Sequence, residues 1–555
     1  MKKFCQVVIL LCLCISFTTS AFAGVSINST NFPDLTFRLH ISVTFDNDRD
    51  GTLSDAEIAN IKELNLHAVS SFKGIEYFTA LVSFDCSGNS LTELDISRNI
   101  ALRYLNCSRN ELTSLNITNN PELVTVDCSN NKLTALNTNN NTALEYFSCD
   151  GNSISSLNLA NNAALKSLSC ANNSLKTLNL AQNILLESLD CKVNSLESID
   201  LTNNTALTYF DFEANRIRSL DISNNTELKT LVCSRNLMTD LDLSKNLKLE
   251  HLTCNNSKLT SLDLSNNIEL ITLECWANDF TFLDLSANVA LESLDCFSNL
   301  ITNLNLKNNE ALVYLRCSSN NLANIDLSSN KNLVVLECIN CALEELDLSN
   351  NENLQKIDCS DNALSKINLG ENIALKILNC SQNKLMTLDL EKSTGIENLN
   401  CNDNILTKLD LSNNSELKTF NYGTTTIEYK DIPTLDSGDF PFGIKFSDLE
   451  LTLSDVEKRM APISAVDSER KSITVSHDAE YLYFAEGPTY VYYEYDTRPV
   501  TKYTSVPKLK VTLQFPESEK PKKNDDKGGC GDDDDVIKIA VGVGLIIGLI
   551  LGGVF

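Results

Sequence analysis

The chain has 555 residues, 73 acidic and 45 basic, for a formal net charge of −28. That balance argues against nucleic acid or an anionic lipid surface as the main partner, because both would be repelled. The 4 histidines are scattered, and no Ser/His/Asp, HExxH or phosphate-loop arrangement occurs, so the sequence reads as a non-enzyme.

In chain order, the first element is an export signal. Lys2-Lys3 precedes an apolar run from Val7 to Phe17, and Ala21-Phe22-Ala23 stands before Gly24. A short basic start, an apolar core and small residues at the end mark a secretory signal peptide, residues 1–23, cut after Ala23. The apolar run is too short to span a bilayer.

Residues 24–80 read as a helical N-terminal cap. The stretch Asn31 to Arg38 opens a helix with Pro33 in its first turn. Next comes Asp46-Asn47-Asp48-Arg49-Asp50-Gly51-Thr52-Leu53-Ser54-Asp55-Ala56-Glu57. It fits the EF-hand calcium loop at each key position. Asp46, Asp48 and Asp50 supply carboxylates, Gly51 the turn, Thr52 a backbone carbonyl, Ser54 the ninth position and Glu57 the closing carboxylate. A helical tail over Ala56–Leu66 is expected. The loop resembles those of EF-hand and dockerin modules, but no second loop of the dockerin kind is present. The expected cofactor is one structural Ca²⁺, acting as a clamp for the cap.

From 81 to 422 a cysteine returns every 21 residues, from Cys86 to Cys401, with Phe212 at the one missed beat. The 16 copies follow LxxLxCxxNxLxxLDLSxNxx without insertion or deletion. A fixed short period is one unit stacked on itself, and this frame is that of a leucine-rich repeat. Apolar residues at 81, 84, 86, 91, 94 and 96 point inward, and LxC and LDL suit short strands in two parallel ladders. Asn89 recurs to Asn404, broken only by Ser257 and Cys341, and Asn99 recurs with Ser393 as its exception. Such columns can satisfy buried turn amides and carbonyls. The fold expected is a mainly β, right-handed leucine-rich-repeat superhelix of about 16 coils with parallel strands.

The cysteines are read as packing. Stacked residues lie about 4.8 Å apart, whereas disulfide Cβ atoms prefer about 3.8 Å. Phe212 in the same column fits an apolar role and not a ligand role. Cys338 and Cys341 form a CxxC, but no second CxxC or nearby His completes a zinc site.

Over residues 60–420 the pattern resembles the bacterial internalin family, in particular its members with 21-residue repeats that carry a cysteine where others have an apolar residue. That resemblance implies a curved, surface-displayed solenoid used in adhesion, and it leaves the partner open. The strand positions between inward residues would line the concave face. There the later repeats acquire apolar side chains: Ile271, Trp276, Phe297, Val313, Tyr314, Val335 and Ile339. Grouped exposed aromatics are hot-spot material, so these residues are the candidate partner site.

Residues 423–515 alternate aromatic and polar positions, as in Tyr490-Val491-Tyr492-Tyr493-Glu494-Tyr495, and read as a small β-sandwich-like domain. Residues 516–535 are a polar stalk. Residues 536–555, VIKIAVGVGLIIGLILGGVF, form a terminal apolar helix long enough to span a bilayer. A cleaved sorting or lipid-attachment signal has the same outline. The functional expectation is an exported, membrane-anchored cell-surface protein that binds a protein or glycan on a host or neighbouring cell. The alternative is a structural envelope protein that self-associates weakly or binds envelope polysaccharide.

Overall fold

The structure, a computed structural model, describes residues 24–428 continuously and, between 442 and 515, the strands of a C-terminal region with some of the residues joining them. The expected leader (1–23), stalk (516–535) and apolar tail (536–555) lie outside the described residues. Among the described residues no helix is long and apolar enough to cross a membrane. The fold is a parallel-strand leucine-rich-repeat solenoid of about 17 turns with few helices. The chain divides into two compact units, the first ending at Glu227 and the second starting at Leu228.

In the first unit, Asp34 caps the helix Leu35–Thr44, its carboxylate accepting from the Phe37 amide at 2.9 Å. Pro33 thus precedes the cap instead of lying in the first turn. The second helix is Asp55–Asn60, capped reciprocally by Ser54 and Glu57. It is shorter than the expected Ala56–Leu66, because Glu63–Asn65 joins the parallel ladder beside Ser83–Asp85. The cap has an aromatic core. Phe37 meets Phe72 at 5.1 Å, and Phe72 meets Phe84 at 5.0 Å, both edge-on. Phe84 belongs to the first repeat, so the cap covers what would be the open end of the solenoid core. Burying a side chain of this size contributes about 1.5–3 kcal/mol.

From there one short strand per repeat adds in register. Leu105 pairs with Phe84, Val126 with Leu105, and so on to Phe210 against Leu189. The middle residue is buried and its neighbours half-buried in most strands. The column cysteine follows, buried, its amide bonded to the next coil, as Cys86 N to the Asn106 carbonyl at 2.8 Å.

Asn110 shows what the first asparagine column does. Its Nδ2 donates to the Cys86 and Cys107 carbonyls, both at 3.0 Å, and its Oδ1 accepts from the Leu91 amide at 3.0 Å. One side chain therefore closes its own turn and ties down the coil before it. The residue just ahead of this column is left-handed in coil after coil, including Arg109 (φ 54°), Val193 (φ 52°) and Ala214 (φ 55°). Valine avoids this region on its own. Val193 is held there by its surroundings, its amide donating to the Glu213 carbonyl at 2.7 Å.

The LDL segments differ from the two-ladder expectation. Among the described residues, regular pairing on that side is confined to Glu345–Asp347 against Lys366–Asn368. Elsewhere amides flanking these segments are answered locally, as Ser97 N is by Asp95 Oδ1 at 2.9 Å, or by single inter-coil bonds such as Glu111 N to the Leu91 carbonyl at 2.8 Å.

The second unit repeats this arrangement from Thr230–Val232 to Thr419–Asn421. Its C-terminal region holds a five-stranded sheet, in the order 424–428, 508–514, 490–496, 464–466, 472–473, and a three-stranded sheet of 442–445, 481–484 and 475–477. Tyr493 and Tyr495 are buried while Tyr492 is exposed, the alternation of a one-sided strand. Within this unit the last coils meet the sheets directly. Thr407 Oγ1 donates to the Leu449 carbonyl at 2.5 Å, and the Tyr493 hydroxyl donates to the Thr407 carbonyl at 3.3 Å.

Candidate functional site

The loop after the first helix gathers its acids. Asp46, Asp48 and Asp50 each place a carboxylate oxygen within 4.8 Å of the others. Gly51 takes φ 80°, which the turn requires and side chains avoid. Asp46 accepts from the Asp50 amide at 3.2 Å and the Gly51 amide at 3.1 Å, and Val25–Ser26 pairs with Thr52–Leu53 at the loop exit. The Asp50 amide pulls the Asp48 carboxyl down, but burial and the charges of Asp50, Glu57 and Asp46 raise it above its ordinary value.

Glu57 stands outside that trio. Its Oε1 accepts from the Asn47 amide at 2.6 Å, and its Oε2 accepts from the Ser54 amide at 2.9 Å and the Ser54 hydroxyl at 2.8 Å. The Ser54 amide, then the Asn47 amide and the Ser54 hydroxyl, hold its carboxyl below the usual range. Three crowded carboxylates, with a fourth closing the loop, are the donor set a hard divalent cation takes. The residues present therefore fit Ca²⁺.

The ladder thiols offer no comparable chemistry. The 16 cysteines from Cys86 to Cys401 are all free and buried. In the ladder column burial pushes thiols up, to about 12 at Cys254 and Cys401, so the reactive thiolate is suppressed there, whereas Cys341, outside that column, is lowered by its hydrogen bond with Cys317. Cys341 points its Sγ at the Cys317 carbonyl, 3.2 Å away, the place an asparagine amide takes in neighbouring coils. Among the described residues, Cys338 and Cys341 join no group of three or more metal-binding side chains.

The candidate partner residues lie on or beside the strand face of the second unit. Tyr314 and Val335 are in register on adjacent strands. Trp276 and Phe297 occupy corresponding places on adjacent coils, linked through Ala277 N to the Phe297 carbonyl at 2.9 Å. Ile271, Trp276, Phe297, Tyr314, Val335 and Ile339 are half-buried, and Val313 is exposed. Ile339 lies two coils on from Phe297, with Ser318 in the coil between, its hydroxyl accepting from the Ile339 amide at 2.9 Å.

The residue that sequence reasoning passed over is Arg316. Its guanidinium carbon lies 4.2 Å from the centre of the Phe297 ring. Its Nη1 reaches Asp295 at 3.3 Å and its Nε reaches Glu337 at 3.4 Å, while Lys356 takes the other Glu337 oxygen at 2.6 Å. One signal was available. Arg316 is the basic residue in a column that otherwise runs Val232, Thr253, Glu274, Asp295, Glu337, Asp358. Each such pair on a half-exposed face stabilises by at most about 1 kcal/mol, so the cluster shapes the surface more than it holds the fold.

Strand ladder, asparagine turns and buried cysteine column together define a leucine-rich-repeat protein with a cysteine ladder. The functional domain of InlJ from Listeria monocytogenes, which includes a cysteine ladder, is 25% identical to this chain; the match covers 90% of this chain and all of that one, with a TM-score of 0.60. The Leptospira interrogans leucine-rich-repeat protein LIC12759 is 21% identical over 62% of this chain and 91% of its own, with a TM-score of 0.54. YopM from Yersinia enterocolitica is 23% identical over 64% of this chain and 77% of its own, with a TM-score of 0.52. The last two likenesses bear on the fold alone. No protein-family model and no curated protein matches the sequence.

Proposed function

We propose that the chain is an exported, surface-displayed, internalin-like binding protein whose strand face engages a protein or glycan partner. The observation that carries this reading is the run of half-buried apolar side chains, Trp276 and Phe297 foremost, set among charged residues on adjacent coils of a rigid ladder. Rigid repeats lose little freedom on binding, and exposed aromatics repay the contact. The InlJ likeness supports the same class. The signal peptide and the apolar tail support export and anchoring.

Ca²⁺ in the 46–57 loop would steady the cap. Asp46, Asp48 and Asp50 would hold the ion, with the Thr52 carbonyl, Ser54 and Glu57 completing the set. Bound there, the ion supplies charge neutralisation and a crosslink across the loop, not catalysis.

Purified full-length chain is applied to arrays of surface glycans and surface proteins, beside a Trp276→Ala/Phe297→Ala variant. Binding that the variant loses, with a melting temperature shifted by less than about 2 °C, supports the reading. Binding that the variant keeps defeats the patch. Light scattering that shows self-association, with no array binding, favours the structural envelope role instead.

A further inference from the structure

Among the described residues, Cys341 is the one cysteine that stands outside the 21-residue cysteine column. It replaces an asparagine of the first column and is fully buried. Its Sγ lies 3.2 Å from the carbonyl oxygen of Cys317, in the coil before. The two thiols are hydrogen-bonded to each other, and the Asn320 and Ser319 amides donate to the Cys341 sulfur as well. The Cys341 amide is anchored on the other side by Asn362 Oδ1 at 2.9 Å. Cys338, nearer in sequence, shares no thiol hydrogen bond with Cys341 and feels it only through charge.

We propose that Cys317 and Cys341 are a modification site, joined into a disulfide when the chain meets a peroxide. Thiols stacked in one column stand about 4.8 Å apart along it, too far for the bond. Cys341 reaches Cys317 from a different column, so that spacing does not separate this pair. The environment also divides the roles. The Cys317 thiol first, and then the Asn320 and Ser319 amides, hold the Cys341 thiol below its ordinary value against the opposing effect of burial. The hydrogen bond to Cys341 and then burial push Cys317 well above its own. Cys341 is therefore the attacking sulfur and Cys317 the one that resolves. The Cys341 thiolate attacks one peroxide oxygen, the O–O bond breaks, and a sulfenic acid and hydroxide form. The Cys317 sulfur then displaces that oxygen, which leaves as water with the Cys317 proton, while the hydroxide takes up the proton lost by Cys341. Two thiols and one hydrogen peroxide become one disulfide and two waters, the sulfurs losing two electrons and the peroxide gaining them. The bond would tie the coil of Tyr314 and Arg316 to the coil of Val335 and Ile339, two neighbours beneath the candidate partner face.

The full-length reduced chain is treated with hydrogen peroxide, a reagent small enough for a buried sulfur. It is then denatured, alkylated and digested, and its peptides are mapped by mass. The expected product is one cross-linked peptide pair, Cys317 with Cys341, which dithiothreitol separates. Cys338→Ala should leave that product unchanged. Cys341→Asn restores the residue of the column, keeps the fold by circular dichroism, and should abolish it. A Cys338–Cys341 link in its place, cross-links spread equally over the column, Cys341 oxidised to sulfinic acid without a link, or no reaction at all overturns the proposal. It stands apart from the strand-face reading: loss of the link in Cys341→Asn with partner binding retained supports the site and leaves that reading untouched.

Discussion

The Thr138 hydroxyl donates to Asn162 Oδ1 at 2.9 Å, answering an amide oxygen that is left unpaired in the neighbouring coils. Asn141 and Asn183 are fully buried, and each spends its Nδ2 on two carbonyls while its Oδ1 has no partner. Ile117 and Leu159 stand where Thr138 stands for Asn162, and they offer no donor. The second asparagine column therefore carries a repeated polar cost that one threonine relieves.

Thr138→Val keeps the shape and removes the donor. It should destabilise the chain by about 1–2 kcal/mol, read from the denaturant midpoint, because it strands a buried acceptor. A neutral result would mean that the asparagine oxygens are not energetically unpaired.

The thiol column should be chemically silent. The chain has 20 cysteines, of which Cys5, Cys12, Cys14 and Cys530 lie outside the repeat region 81–422. In the native state a thiol reagent at pH 8 should modify at most those four quickly, the rest reacting only after denaturation. Rapid native labelling of a larger number would contradict the burial of the ladder.

Acid should weaken the fold through the LDL acids. The Ser97 hydroxyl and amide hold Asp95 below its ordinary value, and the Ser265 and Ser286 groups do the same for Asp263 and Asp284. A lowered folded-state value gives stability that is present above the unfolded value, near 3.9, and lost as pH falls through the folded one. The denaturation midpoint should thus hold from pH 7 to about 5 and fall below about 4. Asn already serves at corresponding positions such as Asn116, whose Oδ1 accepts from the Thr118 amide at 3.1 Å. Asp263→Asn/Asp284→Asn should then flatten the acid limb without loss at pH 7.

Removing Ca²⁺ should loosen the cap. EDTA is expected to lower the melting temperature of the wild type and to leave Asp46→Asn/Asp50→Asn unmoved. The wild type should show calorimetric Ca²⁺ binding at about 10⁻⁴–10⁻³ M, typical of extracellular sites. No shift together with no binding heat removes the site.

Much of this architecture could be read in the repeat, because a fixed period forces each side chain into the same environment in each coil. The cysteine and asparagine columns are where it placed them. What stayed hidden depends on contacts between coils. The left-handed turn falls on Arg109, Val193 and Ala214 alike, so no residue type announces it; the Asn columns and the next coil impose it. The helix expected through Leu66 stops early because Leu64 finds a partner strand, which a helical pattern alone does not reveal. At the candidate site the aromatic residues were visible as departures from the repeat. The Arg316–Phe297 contact was not, since it joins residues that belong to different columns.

The reach of the asparagine bonds has one more consequence. Asn110 and Asn131 each bind only their own coil and the one before. No hydrogen bond of that set depends on how many coils lie further along. A whole 21-residue unit could thus be excised or duplicated in a gene with its neighbours rejoining like for like. A fragment of any other length would misalign the columns beyond the junction. Under such a rule, variation in reach among related chains would come in whole steps, with the cap and the terminal sheets carried along unchanged.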